Sequence, residues 1–584
     1  MPLPIDRVLP APVPPQARQY RVRVRDGVRL ATDVYLPPSD PPDQDEQGGL
    51  PTVLIRLPYD KNSRYVFTDR IAERFTAHGY AVAVQDVRGK FRSEGATLPF
   101  VHESADGYDT IEWITHQAWS NGRVGMFGDS YYGNTQWAAV AAQHPALRAI
   151  VPRVTAADFN AMFRDAGREG GRDEGRGGVR ELPPPVWREG VGYFAQHWVG
   201  RDTYAYEPDP AQRPAIDQYE QAFTAIGARS AWFSLLAPNR VDLCTQFGRH
   251  PFDARPVPVL HCLGWYDNIV RAHMRDYLDL ASRPEWDAVQ YLWAGAVDHE
   301  NYRLDNAPVA AEDDHATDEA ALTRMLDGYL DPAVAFLDVF LQGAAPVSSL
   351  PKVAWELGHA GWRTAASWPP PQARPVSFRL ADPAAATGPL PGGGLVTEDG
   401  TVADGSSEVS EVSWVHDPEA PVPSPVENSF AYLQTHPDLA PLAARADVLA
   451  FATAPFAEPL DLAGPVTAEL RVASNGPVFD VFAKLADLAP DGTARLVVRG
   501  QVQADDRANG PLHIDLSHTG YRVRAGHRLA LLVSSSDFPL FLPAPGTGEN
   551  PWTATAVRPT TQRLVTGGDR PSRLTVTVLP PETD

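Results

Sequence analysis

The sequence predicts a chain in two parts: a largely parallel sheet flanked by helices and opened by one insertion, then an all-β domain. Three observations carry this. Between about residues 50 and 157, short apolar runs alternate with helical segments, the texture of βαβ units. Residues 158–249 break that rhythm with a glycine-rich charged stretch and scattered aromatics. After Leu350 the alternation with helices ends, and strand-like segments follow one another at the short spacing of a sandwich or jelly roll.

Taken in order, YRVRVRDGVRLATDVYL holds two β-type runs around Asp26-Gly27, a dipeptide suited to tight hairpin turns because both centres tolerate positive φ. TVLIRLPYD and YAVAVQDVRG read as strands, with helical segments near Ile71–His78 and Tyr108–Thr115, and VGMFGDS as the strand after them. From Ser130, YYGNTQWAAVAAQHP reads as a helix with small residues on one face, ending before Pro145, and RAIVPRV as the next strand. The 158–249 insertion is expected to form a partly helical cap. Strands resume with PVPVLHCLGWYDN and VQYLWAGAVDHE, and the helix VAFLDVFLQG closes the unit. Expected domains are therefore 1–157 and 250–350 for the two parts of the sheet, 158–249 for the cap, and 351–584 for a linker rich in Pro, Gly and Ser to about Asn428 with the β domain behind it.

Composition narrows the function. With 51 Lys and Arg against 73 Asp and Glu, a net charge of −22 repels a phosphate backbone, so nucleic acid and anionic membrane are poor partners. The two cysteines, Cys244 and Cys262, form neither a disulfide framework nor a thiolate zinc site, which fits a reducing compartment. No secretory signal or membrane-length apolar run is legible, and a soluble cytoplasmic protein is expected. The 57 prolines and 45 glycines argue against a helical bundle. Lysine is confined to positions 61, 90, 352 and 484, read here as coding bias.

Chemistry concentrates at Gly128-Asp129-Ser130-Tyr131-Tyr132-Gly133, where an apolar strand meets a helix. A serine on such a turn is thrust out of the sheet, the logic of the nucleophile elbow, although the glycine usually found two residues after the serine stands here one place later. Serine needs a histidine to take its proton and a carboxylate to orient that histidine. Asp267 in LHCLGWYDN and His299 in WAGAVDHEN each follow an apolar strand, in the order serine, acid, histidine of doubly wound hydrolases. Alone, an Asp after a strand is a turn or cap residue, and a His between Asp298 and Glu300 is a solvated loop residue. Together with Ser130 they form a constellation.

At these residues the chain resembles the cocaine esterase-like and X-Pro dipeptidyl peptidase-like serine hydrolases, which include the α-amino acid ester hydrolases. The resemblance rests on LIRLPYDK (54–61), DVRGKFRSEG (86–95), GDSYYGNTQW (128–137), GWYDN (264–268), the histidine loop at 298–300, HDPEAPVPS (416–424) and GHRLALLVSSSDFP (526–539). It implies an α/β-hydrolase fold with an inserted helical cap and a C-terminal all-β jelly-roll domain. It further implies Ser130 as nucleophile, His299 as general base, Asp267 as orienting acid, and an oxyanion hole from the Tyr59 hydroxyl and the Tyr131 backbone N–H. Members commonly carry tryptophan two residues before the histidine, whereas this chain has Val297; the neighbouring Asp298 could raise the pKa of His299 or compete with Asp267 for it.

Remaining expectations are more local. Trp265, Tyr266 and the cap residue Phe163 are candidate pocket walls. Asp86 and Arg88 are expected to pair with each other, and Asp313, Asp314 and His315 to form a solvated loop without a metal. The expected activity is acyl-enzyme cleavage of a small-molecule ester or amide, with no cofactor. An X-Pro dipeptidyl peptidase or amide acylase is the alternative, a non-catalytic carbohydrate-binding protein the rival from another class. A homo-oligomer stays open.

Overall fold

The computed structural model describes residues 10–38, 49–157, 179–181, 209–226, 248–397, 409–426, 428–505, 508 and 510–581. Its first half is built on a ten-stranded mixed sheet. In chain order the strands are β1 (Arg18–Arg23), β2 (Arg29–Tyr35), β3 (Leu50–Leu57), β4 (Ala81–Asp86), β5 (Ser120–Asp129) and β6 (Leu147–Arg153), then β8 (Val259–Gly264), β9 (Gln290–Gly295), β10 (Val353–Leu357) and β11 (Gly361–Ala365). Strand β7 (Val179–Glu181), between β6 and β8 in the chain, belongs to the other sheet. The spatial order is β1-β2-β4-β3-β5-β6-β8-β9-β10-β11. Strands from β4 through β3 to β10 run parallel, while the Asp26-Gly27 hairpin brings in β1 and β2 antiparallel and β11 turns back on β10.

Why both sheet faces are covered follows from the period of two along a strand. Val53 and Ile55 of β3 join a core with helices α1 (Thr68–Ala77) and, at the far end of the unit, α7 (Glu319–Leu337). Leu54, between them, enters the opposite core with α2 (Glu103–Thr115) and α3 (Ser130–Ala142). A sheet buried on both sides reads as continuous apolar runs, which is why TVLIRL and AVAV show no polar alternation. Between these helices lie α4 (Ala215–Ile226), α5 (Val270–Ala281) and the single turn α6 (Pro284–Asp287).

The second sheet has twelve strands: β7, β12 (Arg374–Ala381), β13 (Gly393–Thr397), β14 (Ser410–His416), β15 (Leu449–Ala452), β16 (Leu460–Ser474), β17 (Val478–Leu488), β18 (Ala494–Asp505), β19 (Leu512–Val523), β20 (Arg528–Ser534), β21 (Thr560–Thr566) and β22 (Arg573–Val578). This is the all-β domain the sequence leads one to expect. Two features differ from the sequence reading. Residues just after 350 add β10 and β11 to the first sheet, and the stretch read as a linker to Asn428 contains β12, β13 and β14. These strands are short, and β11 and β14 bury little or only alternate residues, so their apolar signal is weak.

Most of the expected cap, including Phe163, lies outside the described residues. The strand and the helix described within it are tied to the β domain: β7 pairs with β18, and the Ile216 amide at the start of α4 donates to the Trp552 carbonyl at 3.0 Å. No helix among the described residues is long and apolar enough to cross a membrane.

Candidate active site

Strand β5 delivers Ser130 to the turn into α3, and the backbone there is strained as an elbow requires. Ser130 has φ +51°, a left-handed conformation that a side chain rarely adopts. The two glycines have separate steric reasons. A Cβ on Gly128 would fall 2.0 Å from the Tyr132 ring, and one on Gly133 would fall 2.6 Å from the Thr155 side chain. Tyr132 thus fills the place of the more usual glycine because its ring lies back over Gly128. Thr155 also donates its hydroxyl to the Ser130 carbonyl at 2.6 Å, holding the turn from β6's end.

Asp267 follows β8 and His299 follows β9, so adjacent parallel strands bring both loops to one sheet edge. His299 Nδ1 is 2.8 Å from Asp267 Oδ1, which also accepts the Ile269 amide at 3.1 Å. Both side chains are buried. Burial acts to lower the pKa of His299, but the charge and hydrogen bond of Asp267, with help from Glu300 and Asp129, outweigh it and leave the pKa raised above 6.5. The Phe430 ring, whose centroid is 4.6 Å from that of the imidazole, covers it.

Asp298 does not compete for His299. Its Oδ1 accepts the amides of Glu300 at 3.1 Å and Tyr302 at 3.0 Å, and its Oδ2 accepts the Leu433 amide at 2.8 Å. The residue beside the histidine therefore ties its loop to the chain leading into the β domain.

A cavity of about 400 Å3 is lined by Tyr59, Ser130, Tyr132, His299, Glu300 and His315. Tyr59 is buried edge-on between Tyr65 and Tyr132, with ring centroids 5.8 and 6.0 Å away. Tyr131 points elsewhere: its hydroxyl donates to Glu103 at 2.8 Å, accepts the Phe100 amide at 2.8 Å, and its ring stacks on Phe100. Its backbone amide lies in the first turn of α3, where N–H groups are directed out of the helix end. Glu300 accepts the Tyr65 hydroxyl at 3.0 Å.

Other expectations are corrected. Trp265 and Tyr266 face the β domain rather than this cavity: Trp265 stacks on Trp368 with centroids 4.9 Å apart, and Tyr266 stacks near Tyr432. Asp86 and Arg88 do not pair. Asp86 binds Lys61 at 2.8 Å, and Arg88 binds Asp26 and Asp106, each at 2.7 Å. His315 is not solvated but buried against Tyr302, in the cavity wall. Among the described residues no group of three His, Cys, Asp or Glu is arranged to hold a metal ion.

One network was not legible in the sequence. Arg153, at the end of β6, is buried and donates to Asp129 at 2.9 Å, to Asn301 at 3.2 Å and to the Tyr329 carbonyl at 3.2 Å. Its guanidinium stacks on the Tyr329 ring, 3.9 Å from the centroid.

Residues 26–301 match the family model for X-Pro dipeptidyl-peptidase (S15 family), and residues 346–575 match that for the X-Pro dipeptidyl-peptidase C-terminal non-catalytic domain. Cocaine esterase from Rhodococcus sp. (strain MB1 Bresler) is 31% identical over 563 residues, covering 90% of this chain and 91% of that protein. The chain belongs to the S15 family. As an S15 member it is an enzyme, a serine hydrolase. Two solved structures share the S15 fold at 22% identity and a TM-score of 0.73: an α-amino acid ester hydrolase, matched over 97% of this chain and 98% of that one, and an aminopeptidase from a marine sediment Thaumarchaeota archaeon, matched over 98% and 99%.

Proposed function

We propose that this S15 hydrolase cleaves a small-molecule ester through an acyl-enzyme intermediate formed on Ser130. The observation that carries the reading is that the 2.8 Å His299–Asp267 hydrogen bond and the strained Ser130 turn meet at one cavity. Asp267 fixes the imidazole with Nδ1 protonated, leaving Nε2 to accept the Ser130 proton as the hydroxyl attacks the acyl carbon. The Tyr59 hydroxyl and the Tyr131 amide stabilise the oxyanion as it develops. His299 then protonates the leaving alcohol, and water, deprotonated by the same imidazole, releases the acid and restores Ser130. No metal or cofactor enters these steps.

The ester preference is supported by the 31% identity with cocaine esterase over 90% of the chain. A second reading, release of X-Pro dipeptides, has the family description and Glu300 in its favour, because a free α-amino group would call for a carboxylate in the cavity wall. A fluorophosphonate probe should label Ser130 in the native protein and not in Ser130→Ala. Failure to label the native protein sinks the assignment of Ser130 as nucleophile. Rates on p-nitrophenyl esters against Gly-Pro and Ala-Pro anilides separate the two substrate classes. Soluble cytoplasmic residence and self-association belong to the proposal as well, and fractionation and light scattering on the native protein test them.

A further inference from the structure

Between the loop that carries Asp267 and the β domain lies a second and smaller chamber of about 40 Å3, which Ser130 does not line. Six of the residues that line it carry a buried polar atom with no hydrogen-bond partner in the protein: the Tyr266 hydroxyl, Asp267 Oδ2, Asn268 Oδ1, the Tyr432 hydroxyl, Arg499 Nη1 and the Ser517 hydroxyl. Tyr266, Asp267, Tyr432 and Ser517 are each more than nine-tenths buried. Such a concentration is unusual, because nearly every buried polar group in a folded protein finds a partner.

The groups are chemically matched. An ionised carboxylate has about four acceptor sites, and on Asp267 those of Oδ1 serve His299 and Ile269 while Oδ2 takes nothing. The wall of the same chamber offers four donors. Burial holds the Tyr266 and Tyr432 phenols above their ordinary pKa, so both keep their protons, and Arg499 and Ser517 supply the others. Arg499 lies over the Tyr432 ring, 5.7 Å from its centroid, and reaches the chamber from β18. At roughly 10–15 Å3 per water, about 40 Å3 admits about three.

We infer that this chamber is a binding site for a small cluster of ordered water, through which Arg499 of the β domain holds the outer oxygen of Asp267. Arg499 is then a positioning residue: it touches no substrate and acts through the acid. The inference rests on the assignment of Asp267 as the orienting acid. It gives the C-terminal domain a part in setting the angle of the His299–Asp267 hydrogen bond.

A high-resolution crystal structure should show ordered waters bridging Asp267 Oδ2 and the Arg499 guanidinium. Arg499→Met should lower kcat on a p-nitrophenyl ester by roughly ten- to a hundredfold, the size of one charge-assisted hydrogen bond, with KM little changed. It should also shift the downfield proton resonance of the His299–Asp267 bond, and Arg499→Lys should recover part of kcat. Tyr432→Phe, which deletes one hydroxyl and keeps the ring, should move both readouts the same way and carries the test if the Arg499 variant does not fold. A chamber without ordered water, or both variants with native kcat and an unmoved resonance, overturns the inference. Because the waters are read directly and Ser130 labelling is scored separately on the native enzyme, failure here is distinguishable from failure of the catalytic assignment.

Discussion

Arg153 donates to Asp129, the residue before Ser130, at 2.9 Å, and the same guanidinium reaches Asn301, two residues past His299, at 3.2 Å. One buried cation thus pins the serine turn and the histidine loop to a single point on β6. Removing one partner of a buried pair leaves the other charge unpaired, at a cost of about 3–5 kcal/mol. Arg153→Met is expected to lower the unfolding free energy, read from a denaturant titration, by about that amount and to reduce kcat. Asp129→Asn combined with Arg153→Met should recover part of the stability, and the double-mutant cycle measures the coupling.

The raised pKa of His299 sets a pH dependence with two opposite senses. As the proposed base it must be neutral, so kcat/KM should fall as pH drops through a midpoint above 6.5. The protonated form is favoured by the fold, so its stabilising contribution is present below 6.5 and lost as pH rises through the folded pKa. Asp267→Asn removes the charge that opposes burial and should carry the His299 midpoint below 6.5, read as the pH profile of fluorophosphonate labelling or by NMR titration of the ring. A midpoint that does not move would separate Asp267 from His299.

Tyr59→Phe deletes one proposed oxyanion donor while preserving the ring that packs on Tyr65 and Tyr132. Loss of such a donor costs about 10²–10³ in kcat. Steady-state kinetics on an ester should show that loss with the thermal midpoint unchanged; an effect confined to KM would make Tyr59 a binding residue.

Three of the four lysines are buried: Lys61 against Asp33 and Asp86, Lys90 with its pKa lowered by burial to about 7, and Lys484 against Asp537. Only Lys352 is partly open to solvent. Among the lysines, brief treatment of the native protein with an amine-acylating reagent should therefore modify Lys352, and mass spectrometry should find the other three only after unfolding.

Much of the first sheet was legible because its signals are local. The Asp26-Gly27 hairpin, the apolar runs of β3 to β6, the helix from Ser130 and the order of Ser130, Asp267 and His299 all follow from turn chemistry, periodicity and strand ends. Strands β11 and β14 were not legible, since an edge or half-buried strand carries few apolar residues to announce it. The rest of the site depends on which distant side chains meet. Arg153 reads as one more polar residue at a strand end until Asp129 and Asn301 arrive beside it. Trp265 and Tyr266, adjacent to the acid, turn toward the β domain because Trp368 and Tyr432 offer them aromatic surface there.

Asp298 and His299 show the division most plainly. Their adjacency, and the presence of a base candidate in that loop, were determined by the sequence alone. Which of them would meet Asp267 was decided only in the fold, where the amides of Glu300, Tyr302 and Leu433 take both oxygens of Asp298 and leave the imidazole to Asp267. Backbone preference and hydrophobic period act within a few residues, whereas a buried carboxylate goes wherever donors from elsewhere in the chain can satisfy it.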